Sequence, residues 1–144
     1  MALPSHLALE IVTPDHSVVH ETVDEVEIPG ADGYLGVLPG HTPLLVALRV
    51  GELWYRNGDE STFVSVAFGF AEVLPDRVRI LAQIAERAEE IDVARAEKAV
   101  ERARERIATP AVALDYERAR IALMKSMMRL QVASKARVRG SAGL

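Results

Sequence analysis

Alternation at period two organises the first 85 residues of the chain. Leu7, Leu9 and Ile11 alternate with Ala8 and Glu10, Val26 and Ile28 with Glu25 and Glu27, and Val78, Ile80 and Ala82 with Arg77 and Arg79. One apolar side at this period predicts half-buried antiparallel strands. Turn signals separate the runs: "TPDH", "PGADG", "LPGHTP", "RNGDE" and "LPDR". Many short strands between regular turns predict a β-sandwich or barrel. Within "YRNGDES", Asn57-Gly58 is expected at the centre of a hairpin turn that needs positive φ at both positions.

From Glu86 the period lengthens. "IDVARAEKAVERARERIA" is built from strong helix formers, without glycine or proline before Pro110. Asp92 is placed to cap the helix, its carboxylate accepting first-turn amides. Ala96, Val100, Ala103 and Ile107 make one narrow stripe. "TPAVA" breaks the helix, and "LDYERARIALMKSMMRLQVASKARVR" starts a second with a wider band: Ile121, Leu123, Met124, Met127, Met128, Leu130 and Val132. The short connection predicts an antiparallel pair. Both helices open alike, with Ile91-Asp92-x-x-Arg95-Ala96 and Leu114-Asp115-x-x-Arg118-Ala119. The fold class is therefore α+β, with a sandwich over residues 1–86 and a helical hairpin over 87–144. Isolated helices of this size are marginal in water, so the hairpin needs a further surface.

Charge follows the same division. Residues 1–85 carry four Lys/Arg against twelve Asp/Glu, a balance of −8, and residues 86–144 carry thirteen against nine, a balance of +4. After Glu117 only cations follow, at Arg118, Arg120, Lys125, Arg129, Lys135, Arg137 and Arg139. Such asymmetry points to two modules with different partners. The chain has no cysteine, which excludes disulfides and thiolate chemistry. No run of apolar residues is long enough to span a bilayer, and the N-terminus lacks the pattern of a cleaved signal peptide.

Candidate chemistry is sparse. "GYLGVLPGHTPLL" has the glycines of a phosphate loop, but His41-Thr42-Pro43 follows Gly40 where Lys-Ser/Thr and a helix are required. His41 as a general base lacks a legible nucleophile and orienting carboxylate, so a small hydrolase centred on it is the weaker reading. His16 and His20 stand in strand-and-turn sequence, where a four-residue spacing does not make a metal pair; no metal is expected. A nucleic-acid adaptor using the basic hairpin is a further alternative, disfavoured because no aromatic follows Tyr116. Arg95 and Arg102 share a face of the first helix, and Lys125 and Arg129 a face of the second. Two antiparallel helices could bring the four around one polyphosphate, although spacing alone favours a plain solvated charge face.

The order of motifs along the whole chain, "LALEIVTPDHSVV", "VEIPGADG", "GYLGVLPGHTPLL", "FGFAEVLPDRVRIL" and "EIDVARAEKA", resembles the epsilon subunit of bacterial F-type ATP synthases. The resemblance implies a ten-stranded β-sandwich followed by the two-helix hairpin. It implies a non-catalytic rotor subunit of a proton- or sodium-translocating synthase, peripheral on the cytoplasmic side of the bacterial inner membrane without inserting into it. The sandwich would meet the gamma stalk and c-ring through Tyr34, Leu35, Gly36, Leu38, Pro39, His41 and Pro43. The hairpin would fold down beside the sandwich or extend along gamma towards the alpha/beta ring, where its basic second helix would meet an acidic segment and inhibit ATP hydrolysis. No cofactor is required, but the family's Ile/Leu-Asp-x-x-Arg-Ala motif implies regulatory ATP, with or without Mg. Here the matching residues are Glu86, Ile91, Asp92, Arg95, Ala96, Arg102, Lys125 and Arg129. Lys125 stands where arginine is usual, keeping the charge but losing the planar fork.

Overall fold

The computed structural model describes residues 3–108 and 113–142, with side chains omitted at 113–114 and 137–142. The connection between the helices, and the side chains of Arg137 and Arg139, lie outside the described residues. The chain divides between Arg87 and Ala88 into two units.

The described residues of the first unit form eight strands: β1 Leu7–Val12, β2 Ser17–Val23, β3 Glu25–Gly30, β4 Gly33–Val37, β5 Leu44–Leu48, β6 Gly51–Asn57, β7 Glu60–Leu74 and β8 Arg77–Arg87. They run in the order β2-β1-β8-β7-β5-β3-β4, and β6 joins β3 to β7. The alternating positions point inward as their period requires. Leu7, Leu9, Ile11, Val26, Ile28, Val78 and Ile80 are all at most 1% exposed and meet in one core. Each such side chain contributes about 1.5–3 kcal/mol relative to exposure.

Eight strands stand where ten were expected, because β7 and β8 each do the work of two. In β7 the buried valines Val64 and Val66 give way to Ala71 and Val73, a change from even to odd positions. In β8 the buried Val78, Ile80 and Ala82 give way to Ala85. The two changes face each other, between the pairs Ala67↔Ile84 and Gly69↔Ala82. Phe68 and Gly69 there have φ of 60° and 118°. Left-handed backbone at two successive residues rolls the ribbon over, so each long strand turns opposite sides to the core at its two ends.

Neighbour direction also departs from the alternation pattern. β1 lies parallel to β8, with Leu9↔Val78 and Ile11↔Ile80, since a period fixes the face of a strand and not its neighbour's direction. The β6–β7 turn is centred on Gly58-Asp59 rather than Asn57-Gly58. Asn57 pairs with Glu60, and only Gly58 has positive φ, as in hairpin turns with glycine first. A clasp fixes this register. The Gly58 N–H donates to Asp24 Oδ2 at 2.7 Å, while Arg56 reaches Glu25 at 2.8 Å, Asp24 at 3.2 Å and the Gly58 carbonyl at 3.0 Å.

Behind it, the buried Tyr55 hydroxyl donates to Glu21 Oε1 at 3.4 Å, an oxygen that also accepts from Arg87 Nη2 at 3.2 Å. Burial pushes the Tyr55 phenol up, and the Glu21 charge adds to this while Arg87 opposes it.

The second unit begins with a 3₁₀ turn, Ala88–Glu90, followed by α1 (Val93–Ala108) and α2 (Ala113–Ala142). Asp92 caps α1: its Oδ1 accepts from the Arg95 N–H at 3.0 Å. Ala96, Val100 and Ala103 are buried, with Ile107 half-buried. On α2 the buried residues are Ala119, Ser126, Val132 and Ala133, with Leu123 and Leu130 half-buried between them. Spacings of four and three on both helices make a narrow knobs-into-holes seam. Of the broad band expected on α2, Val132 is buried and Ile121, Leu123, Met128 and Leu130 half-buried, while Met124 and Met127 are exposed. Small residues set the seam because they let two helices approach closely. Ser126 satisfies its buried hydroxyl by donating to the Ala122 carbonyl at 2.8 Å. The echo of Asp92 at Asp115 does not repeat the cap, because α2 starts at Ala113 and leaves Asp115 inside the first turn.

Candidate functional site

The glycine-rich stretch forms β4 and the connection to β5. Tyr34 pairs with Pro29 across β3–β4, and Arg49 Cζ sits 4.9 Å from its ring centroid. Leu35 packs on the core, whereas Gly36, Leu38 and Pro43 are exposed and Pro39 and His41 half-buried. Gly40, at φ 88°, donates its N–H to the Pro75 carbonyl at 2.7 Å, tying the connection to the β7–β8 turn. The His41 N–H donates to the Leu38 carbonyl at 3.1 Å, and its Nδ1 lies 2.7 Å from the Thr42 carbonyl oxygen. That geometry spends Nδ1 on its own loop. A groove of about 430 Å³ runs between the β3–β4 turn and β5, lined by Asp32, Tyr34, Leu35, Leu44, Leu45 and Val46 among others. Its lining includes one carboxylate and no cation, so it suits an apolar protein surface and not a phosphate.

Beside it lies a surface that the alternation analysis missed. Ala47, Phe70, Leu81 and Val12 are successive neighbours across β5, β7, β8 and β1. They form one row on the outer side of the sheet. Phe70 is 56% and Leu81 52% exposed, with Leu45 next to the row at 70%. Apolar side chains on the solvent side of alternating strands are the signal for such a surface, and "FGFAEV" and "RILAQI" carried it. An exposed apolar row of this kind marks a protein-contact surface.

The residues of the expected nucleotide set fall on β8, α1, α2 and the connection that leads into α1. Glu86 stands on β8, opposite Ser65. Ile91 and Ala96 are buried and Asp92 is engaged as the cap, so most of the Ile-Asp-x-x-Arg-Ala motif serves the start of α1. Arg95 and Arg102 are exposed on α1, and Lys125 and Arg129 half-buried on α2. Helix phase places these four cations on one side of the seam, since each precedes a seam residue by one position. No group of three or more His, Asp or Glu suited to a metal occurs among the described residues, and no described helix is long and apolar enough to cross a membrane.

Comparison with known proteins covers both units. Residues 6–88 match the family model for the ATP synthase delta/epsilon chain β-sandwich domain, and residues 89–134 that for its long α-helix domain. The ATP synthase epsilon chain of Solibacter usitatus is 49% identical over 133 residues, covering 92% of this chain and 99% of that one. The epsilon chain of Syntrophobacter fumaroxidans is 51% identical over 129 residues, covering 90% and 96%. Among solved structures, a chain of the Euglena gracilis mitochondrial ATP synthase OSCP/F1/c-ring assembly superposes with a TM-score of 0.79 at 26% identity, covering 96% of this chain and 84% of that one.

Proposed function

The chain belongs to the ATP synthase delta/epsilon family, and from that membership we propose how its two units divide the work of an epsilon subunit. It is a non-catalytic subunit of the central stalk of an F-type ATP synthase. The sandwich is the coupling unit, and the observation that carries this reading is the exposed apolar row Ala47–Phe70–Leu81 beside the groove of Tyr34 and Leu45. These adjoining surfaces suit the gamma stalk and the c-ring, the latter through the Tyr34–Pro43 end. The complex holds the subunit on the cytoplasmic side of the bacterial inner membrane, and no described helix is long and apolar enough to span it.

The hairpin is the regulatory unit. Its seam is alanine-rich, and such small side chains bury little area at about 25 cal/mol per Å², which suits a pair that opens. Opened, the basic α2 meets an acidic segment of the alpha/beta ring and inhibits hydrolysis. Removing residues 88–144 is expected to leave complex assembly intact and to raise ATP hydrolysis, measured as phosphate release by the assembled enzyme. Loss of assembly in the truncated chain would refute the division of labour.

ATP stabilises the closed hairpin by bridging Arg95 and Arg102 on α1 to Lys125 and Arg129 on α2. Calorimetric titration of the full chain is expected to show ATP binding that weakens at least tenfold in Arg95→Ala and strengthens in Lys125→Arg. Lys125→Arg restores a bidentate fork. Absence of heat at millimolar ATP, or unchanged affinity in Arg95→Ala, rules this site out.

A further inference from the structure

The closed hairpin sorts its charges by side. On α1 the positions immediately before the seam residues Ala96, Val100, Ala103 and Ile107 are Arg95, Ala99, Arg102 and Arg106. On α2 those before Ala119, Leu123, Ser126, Leu130 and Ala133 are Arg118, Ala122, Lys125, Arg129 and Val132. In antiparallel helices facing across a seam, equal offsets fall on the same flank. That flank therefore carries cations and small or apolar residues, and no acid at these positions. The positions immediately after the seam residues read Glu97, Glu101, Arg104 and Ala108 on α1, and Arg120, Met124, Met127, Gln131 and Ser134 on α2. Glu97, Glu101 and the exposed Met124 and Met127 thus belong to the opposite flank, while Asp92 and Asp115 stand one turn before Ala96 and Ala119 on the cationic side.

From this sorting we infer that the cationic flank of the closed hairpin is a binding site for a linear inorganic polyphosphate chain, longer than the triphosphate of a nucleotide. Length is the first reason. Arg95 to Arg106 spans about 16 Å along α1 at ~1.5 Å per residue, and Arg118 to Arg129 spans the same distance along α2. The two rows run side by side, because the end of α1 adjoins the start of α2. Arg106 and Arg118 extend the charge beyond the four cations of the nucleotide reading and take no part in it. Exposure is the second reason: Arg95, Arg102, Arg106 and Arg118 are all open to solvent. Composition is the third. The flank offers Ala99 and Ala122, half-buried, and Val132, fully buried, so it lacks the exposed apolar anchors that a protein partner uses. A repeating phosphate chain needs only a row of guanidinium forks.

The test is calorimetric titration of the full chain with long-chain polyphosphate at low ionic strength, with ATP titrated in parallel. The double variant Arg106→Gln/Arg118→Gln is expected to bind polyphosphate at least tenfold more weakly and ATP within twofold of the parent. The control, Arg104→Gln/Arg120→Gln, removes the same charge from the opposite flank and is expected to change polyphosphate binding less than twofold. Equal weakening in both variants, full binding in Arg106→Gln/Arg118→Gln, or no polyphosphate binding by the parent overturns the inference. Polyphosphate binding without ATP binding rejects the nucleotide reading and leaves this one standing.

Discussion

Gly69→Ala is expected to lower the stability of the sandwich by more than about 3 kcal/mol, read as a shift of the urea unfolding midpoint at unchanged slope. Two costs add. At φ 118° a side-chain-bearing residue is strained, which costs about 1–3 kcal/mol. The new methyl would also overlap the Leu81 carbonyl oxygen and crowd Ala82 Cα. Both belong to the backbone of the paired strand, so neither yields by a rotamer change, and forced shifts of this kind cost about 1–3 kcal/mol more. Gly36→Ala is the control. A Cβ there meets nothing within 4 Å, and the effect should stay within about 0.5 kcal/mol. If the two substitutions prove equal, the ribbon does not roll at Phe68–Gly69 and the account of eight strands serving as ten is wrong.

Phe70→Glu is expected to weaken binding of the stalk partner at least a hundredfold while leaving the fold unchanged. Phe70 is exposed, and its neighbours in the row, Ala47 and Leu81, present no cation to a new carboxylate. In a complex that covers the row, the variant loses the burial of an aromatic ring and carries an unpaired charge into the contact. An uncompensated charge at such a place costs about 2–5 kcal/mol, and each 1.4 kcal/mol is about a factor of ten. The measurement is the affinity of the chain for isolated gamma subunit, beside the thermal midpoint of the free chain. Unchanged affinity would move the gamma contact elsewhere. A fall in midpoint with no change in binding would mean that the ring serves the core.

The alternating runs at 7–11, 25–28 and 77–82 and the stripe at 96–107 announced their elements plainly, because burial of one side imposes a period that local sequence must obey. The cap at Asp92 was equally legible, since a carboxylate three residues before a free amide answers a purely local need. The order of motifs carried the family, and with it the reading as a non-catalytic stalk subunit.

Other features depend on which segments become neighbours. The parallel pairing of β1 with β8 brings together residues about seventy positions apart, and no period reports it. The roll at Phe68–Gly69 needs the facing change at Gln83–Ile84, and the turn at Gly58-Asp59 is held by the distant Asp24. On α2 the wide apolar band gave no sign that a seam of Ala119, Ser126 and Ala133 would be chosen over Met124 and Met127. Phe70 and Leu81 were apolar letters on the wrong side of their strands until pairing set them in one row. Sequence alone determined the elements, their order and the division into two charged halves, because those follow from local preference and burial of one face. Register, neighbours and the exposed contact surfaces were decided only by tertiary structure, because each depends on which distant segment packs alongside.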